Sequence, residues 1–196
     1  MILPITAYGD PVLRKVSKDI QRDYPDLNVL IDNMFETMYN ASGVGLAAPQ
    51  IGLPIRLFVI DATPFADDEE LSEEERTALK SFKKVFINAK ILNEDGKEWV
   101  FNEGCLSIPD IREDVSRKEV LKIEYLDAHF TTHREIYSGL IARIIQHEYD
   151  HIEGVLFTDK ISSLKRRLLK SRLSNISKGK IKVDYKMRFP DVKKLR

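Results

Sequence analysis

Cysteine occurs once in the 196 residues, at Cys105, so no disulfide can form within the chain and a reducing compartment is expected. Long hydrophobic runs are missing too: no apolar stretch approaches the roughly 18 residues that span a bilayer. Asp10, Arg14, Lys15 and Asp19 stand where a secretory leader needs an uncharged apolar run. These absences predict a cytoplasmic protein without a membrane. Net charge is absent as well. Lys plus Arg and Asp plus Glu number 31 each, which excludes a generic histone-like coat for DNA. There is no internal repeat and no long low-complexity segment. What is present is an ordinary soluble composition, 43% hydrophobic, in a chain long enough for one core to form without a staple.

Apolar periodicity predicts a helix over about Leu27 to Ala41, where Leu27, Leu30, Ile31, Met34, Phe35 and Met38 share one face. Pro25-Asp26 before it and Gly43 after it are start and stop signals in the right order. Arg56 to Ile60 reads as a buried strand. Val85 to Leu92 and Lys97 to Phe101 read as a hairpin across an Asn93-Glu94-Asp95-Gly96 turn, and Val120 to Tyr125 with Thr131 to Tyr137 as a second strand pair. Ser138 to Ile152 reads as a helix with Ser138 as its N-cap and Gly154 as its stop. A last helix, about Asp159 to Ser174, carries Ile161, Leu164, Leu168 and Leu169 as an apolar stripe. Hairpin connections between helices predict an α+β fold with mostly antiparallel sheets.

Two charge blocks interrupt this order. Between Asp61 and Leu79 eight acids face one base, Arg76, which reads as a solvated excursion with a short helix at its end. From Lys160 the sign reverses, with only Asp184 and Asp191 against many bases. The expected division is a single catalytic domain over 1–176, including the last helix, and a basic, mobile tail over 177–196.

The strongest chemical signal is His147-Glu148-Tyr149-Asp150-His151. On a helix, positions i and i+4 lie one turn apart on one face, so both imidazoles reach one metal. Glu148 then stands beside the open position, where it can take a proton from water. The pair His129 and His133 has the same spacing but lies in extended sequence, where four residues span about 13 Å; these read as surface histidines. A catalytic divalent site usually needs a third protein ligand. The extended protease pattern would place a histidine where Phe157 stands, and Glu153 points away from the pair. The remaining candidate is Cys105, in Glu103-Gly104-Cys105-Leu106-Ser107. One thiol with two helical histidines suits Zn(II), Fe(II) or Ni(II).

The segment Gly43-Val44-Gly45-Leu46-Ala47-Ala48-Pro49-Gln50-Ile51-Gly52 formally matches a dinucleotide fingerprint. It follows a helix and leads into a strand, the reverse of that motif's context. Its small residues instead let a substrate backbone lie close to the chain.

GVGLAAPQIG, EGCLS and QHEYDH together resemble the three motifs of the peptide deformylase family, in its order and near its spacing, over roughly Pro4 to Gly154. The resemblance implies an α+β fold with HEYDH on a central helix. It also implies removal of the N-formyl group from the initiator methionine of new polypeptides in the bacterial cytoplasm. By the same resemblance Cys105, His147 and His151 are metal ligands and Glu148 is the general acid/base. The Gln50 side chain and the Leu106 amide are oxyanion donors. Ferrous iron is the metal implied, with zinc or nickel as substitutes. Val44, Phe101, Leu140 and Ile144 are expected to hold the linear side chain, with Gly45 and Gly104 beside the peptide backbone. Two departures stand out: a longer acidic stretch after Asp61, and Arg143 one turn before His147, where an apolar residue is common.

Two rivals are a zinc endopeptidase of the HExxH type, opposed by the broken third-histidine position, and a non-enzymatic ribosome- or RNA-binding protein. The basic C-terminal segment suggests the second, and also suggests that an enzyme so equipped contacts the ribosome.

Overall fold

The computed structural model describes residues 1–190; Asp191 and the basic residues Lys193, Lys194 and Arg196 lie outside the described residues. After the short strand β1 (Ile5–Thr6) come α1 (Leu27–Asn40), β2 (Gly45–Ala47) and β3 (Leu57–Asp61). The helix α2 (Glu73–Lys80) closes the acidic excursion. Two long strands follow, β4 (Lys83–Cys105) and β5 (Ile108–Leu126), and then β6 (Thr132–Ser138). That strand leads directly into α3 (Gly139–Ile152), followed by α4 (Ser163–Ser177) and β7 (Met187–Arg188). β2 to β6 form one antiparallel five-stranded sheet in sequential order, and β7 pairs in parallel with β1. The architecture is α+β with an antiparallel sheet, as the hairpin connections predicted.

β3 shows why the sheet needs a helix on each side. Every residue of Leu-Phe-Val-Ile-Asp is buried. Successive side chains point to opposite faces. Phe58 and Ile60 therefore join the core against α3, with Phe86, Leu121 and Ile145. Leu57 and Val59 join a second core against α1, with Met34, Met38 and Leu46. A third cluster packs Leu169, Leu173 and Ile176 of α4 onto Ile108, Ile111 and Val115 of β5. Thus α3 lies against the sheet with one face turned to the β4–β5 hairpin. No helix among the described residues is long and apolar enough to cross a membrane.

Three expectations need correction. Asn93 to Gly96 is not a hairpin turn: β4 runs through it, pairing Glu94 with Leu121 and Glu98 with Lys118. The turn-like composition is used for a bulge between Asp95 and Glu98, where Gly96 takes φ +80°. The last helix keeps only part of its expected stripe: Ile161 and Leu169 are buried, as are Leu173 and Ile176, but Leu164 and Leu168 are 62% and 72% exposed. Finally, the chain beyond Ser177 is not a free tail as far as Pro190. It returns over the body, with Ile5 N–H donating to Lys186 O (2.8 Å) and Ala7 N–H to Arg188 O (2.9 Å).

Candidate active site

The hairpin of β4 and β5 puts Cys105 at the end of a strand, and α3 carries the histidines past it. The helical spacing sets the His147 and His151 rings 5.1 Å apart. Cys105 Sγ lies 3.3 Å from His151 Nε2, and the ligand atoms of Cys105, His147 and His151 all fall within 4.8 Å of one another. Donors at ordinary zinc bond lengths stand about 3.5 Å apart in a tetrahedron, so one ion fits this set. His133 of β6, by contrast, is tied to Asp127 (2.8 Å) in the β5–β6 connection and is not part of this group.

One of the donors, His147, is oriented from behind, whereas the buried Nδ1 of His151 has no hydrogen-bond partner among the described residues. Glu103, 3% exposed, accepts from His147 Nδ1 (2.9 Å), which leaves Nε2 facing the other ligands. The same carboxylate accepts from Arg117 Nε (2.7 Å), Arg117 Nη2 (2.9 Å) and Arg143 Nη1 (2.9 Å), while Arg117 Nη1 also donates to Asp150 (2.6 Å). Burial works against ionisation of Glu103, but the hydrogen bonds from Arg117 and His147 hold its carboxyl well below the usual range. For His147 burial again opposes the charge, and the bonds with Cys105 and Glu103 prevail, pushing it up to about 10. Burial, followed by the neighbouring His147, drives His151 well below the ordinary value, so it stays a neutral donor.

Glu148 has a different environment. It is buried, its Oε2 has no hydrogen-bond partner among the described residues, and burial pushes its pKa up to about 7. A carboxyl balanced near neutrality beside a metal-ligand set can both accept and return a proton. Gln50 is buried as well, and hydrogen bonds at both ends of its amide set its orientation. Its Oε1 accepts from Ala47 N–H (2.8 Å), which turns Nε2 towards Cys105 Sγ (3.5 Å) and Ser107 Oγ (3.3 Å).

These groups open into a cleft of about 750 Å³. Of the residues expected to hold the substrate, Val44, Gly45, Phe101, Gly104 and Ile144 line it, and so does Leu106. Leu140 does not: it packs one turn earlier against the core beside α3. Arg143 takes a place in the wall instead, its guanidinium 4.4 Å from the Trp99 ring centroid. The roles of Glu103, Arg117 and Arg143 were not read from the sequence. Only Arg143 gave a signal, as a charged residue within an otherwise apolar helix face.

A thiol and two imidazoles converging in a cleft beside a buried carboxyl define a metal-dependent hydrolase. The description of the polypeptide deformylase family matches residues 2–167. Peptide deformylases of Christiangramia forsetii and Flavobacterium johnsoniae are 67% and 65% identical over 196 residues, with 100% of both chains covered. The crystal structure of a peptide deformylase from Legionella pneumophila superposes with a TM-score of 0.77 at 37% identity, covering 92% of this chain and 98% of that one. The chain belongs to the polypeptide deformylase family, and its activity is hydrolytic removal of the N-formyl group from newly made polypeptides.

Proposed function

We propose that Cys105, His147 and His151 hold one divalent ion and that Glu148 carries the proton in deformylation. The observation that supports this most directly is the unpartnered, buried Glu148 carboxyl next to a convergent Cys/His/His group. When bound, the ion supplies Lewis-acid activation of water. A thiolate with two imidazoles, His147 giving up its proton to bind, suits ferrous iron, with zinc or nickel as substitutes. Glu148 takes the proton of the attacking water and returns it to the departing amine, so formate and a free amino terminus leave together. The negative charge gathering on the formyl oxygen is met by the Gln50 amide and the Leu106 N–H.

β2 is an edge strand of the sheet, with Gly45 at its start. A formyl-methionyl peptide therefore lies along β2 as an added strand, its first side chain directed at Val44, Phe101 and Ile144. The exposed face of α4, with Leu164, Arg167, Leu168 and Lys170, is the proposed contact with phosphate-rich ribosomal RNA in the bacterial cytoplasm. Lys165 on the same helix is already paired with Glu113 (2.9 Å). Ribosome sedimentation that weakens steeply with salt supports this contact, and salt-independent or absent sedimentation refutes it.

Glu148→Gln separates ion binding from chemistry. It is expected to keep its metal and lose about 10²–10⁴ in kcat on formyl-methionyl peptides. Parental turnover in this variant refutes the assignment. Gln50→Ala is expected to cost about 10²–10³ in rate, as for other single oxyanion donors.

A further inference from the structure

Residues 178–190 lie beyond the part of the chain that the family description matches, yet they reach the cleft. Ile181, Val183, Tyr185, Met187 and Phe189 are half-buried, alternating with exposed charged residues, so the segment lies as an extended strap on the body. Its stretch from Lys182 to Tyr185 lines the cleft, and the Tyr185 hydroxyl donates to the Leu106 carbonyl oxygen at 2.8 Å.

Leu106 and Ser107 are the two-residue connection between β4 and β5, with Cys105 paired to Ile108. Two-residue connections favour turns that need a residue at positive φ. Neither Leu106 nor Ser107 has one. The turn is held from outside instead. Tyr8 N–H donates to the Ser107 carbonyl (2.8 Å), Gln50 to the Ser107 hydroxyl (3.3 Å) and Tyr185 to the Leu106 carbonyl.

We propose that Tyr185 is a positioning residue for deformylation: its hydroxyl clamps the turn that carries the Cys105 thiol and aims the Leu106 N–H at the reacting carbonyl. The clamp rests on the reading of Leu106 and Gln50 as the oxyanion donors. Tyr185→Phe removes the hydroxyl and leaves the ring packed. With full-length, metal-loaded enzyme and formyl-methionyl peptides, kcat is expected to fall about three- to tenfold, the worth of one hydrogen bond. KM, metal per chain and the thermal midpoint stay near the parental values. Lys186→Ala, on the outward side of the same strap, leaves all four unchanged. O-methyltyrosine at position 185 keeps the ring but cannot donate; it repeats the test if Tyr185→Phe disturbs folding. Parental kcat in Tyr185→Phe, beside a Gln50→Ala that loses rate, overturns the clamp and leaves the oxyanion reading standing. Parental kcat in Gln50→Ala overturns that reading and the clamp with it. A fall in kcat matched by lost metal or a lowered midpoint overturns positioning in favour of a structural role.

Discussion

The smallness of Gly45 is what keeps Glu148 in place. A Cβ at Gly45 falls 2.6 Å from Glu148 Cδ and 2.8 Å from Cγ. Ordinary contact begins at 3.4 Å, so Gly45→Ala forces the carboxyl to retreat from 2.6 Å by about 0.8 Å. The backbone does not resist the change, because Gly45 is not at positive φ. Nor do polar partners recapture the displaced group, since Oε2 has none among the described residues. A misplacement near 1 Å costs on the order of 10²-fold in rate. Formate release at saturating formyl-methionyl peptide, with metal per chain measured on the same sample, is the assay. Gly45→Ala is expected to lose about 10² in kcat with its metal intact. Combined with Glu148→Gln it should lose little beyond Glu148→Gln alone, because both changes act through one carboxyl. Parental kcat, or losses that multiply in the double variant, would refute the reasoning.

Cys105→Ala should leave the protein with little metal, since two ligands rarely hold a divalent ion against water; stoichiometric metal by elemental analysis would contradict the ligand assignment. Glu103→Gln removes the one carboxylate shared by Arg117 and Arg143 and should lower unfolding stability by about 3–5 kcal/mol in urea titrations. An unchanged midpoint would show that the buried guanidiniums are satisfied without it. At Glu135, burial opposes ionisation but hydrogen bonds from Tyr125, Tyr137 and Lys84 prevail and bring the carboxyl down to about 2 from 4.5. A depressed folded-state pKa stabilises fully above 4.5 and is lost as pH falls towards 2. Glu135→Gln should therefore flatten the acid side of the thermal-midpoint profile, and a profile parallel to the parent's would count against it.

How much was legible depended on whether a residue pattern had one physical use or two. His147 and His151 needed only helical geometry, and α3 brings them together as the spacing required. Gly96 had two uses. Asn-Glu-Asp-Gly suits a turn, but a glycine at positive φ equally serves a bulge inside a strand, and only the pairing with β5 decides between them. The expected stripe of Ile161, Leu164, Leu168 and Leu169 and a face of Leu169, Leu173 and Ile176 both fit a helical period. Docking on β5 buries the second and leaves Leu164 and Leu168 outside. Gly43 was read as a helix stop, yet Ser42 takes the left-handed conformation (φ 54°), and Gly43 is small because the Leu106 side chain presses on it. The strap was legible and went unread: Ile181 to Phe189 alternates perfectly, but its apolar residues are few. The Glu103 network was not legible. Its members come from β4, β5 and α3, and no local spacing announces a contact between them.

The pairing of β1 with β7 has a consequence for the order in which the protein is completed. Ile5 meets Met187. Closing a loop of about 180 residues in an unfolded chain costs about 4–5 kcal/mol of chain entropy, more than two backbone hydrogen bonds worth about 1 kcal/mol each can offset. The clasp therefore cannot nucleate folding. It forms only after the sheet and α3 have drawn its two halves together. A growing chain that has reached Gly154 already holds Cys105, Glu148, His147 and His151, but it lacks the strap. A protein that deformylates the first residue of other new chains thus gains this wall of its own cleft only after its Cys105, Glu148 and histidines have all been made.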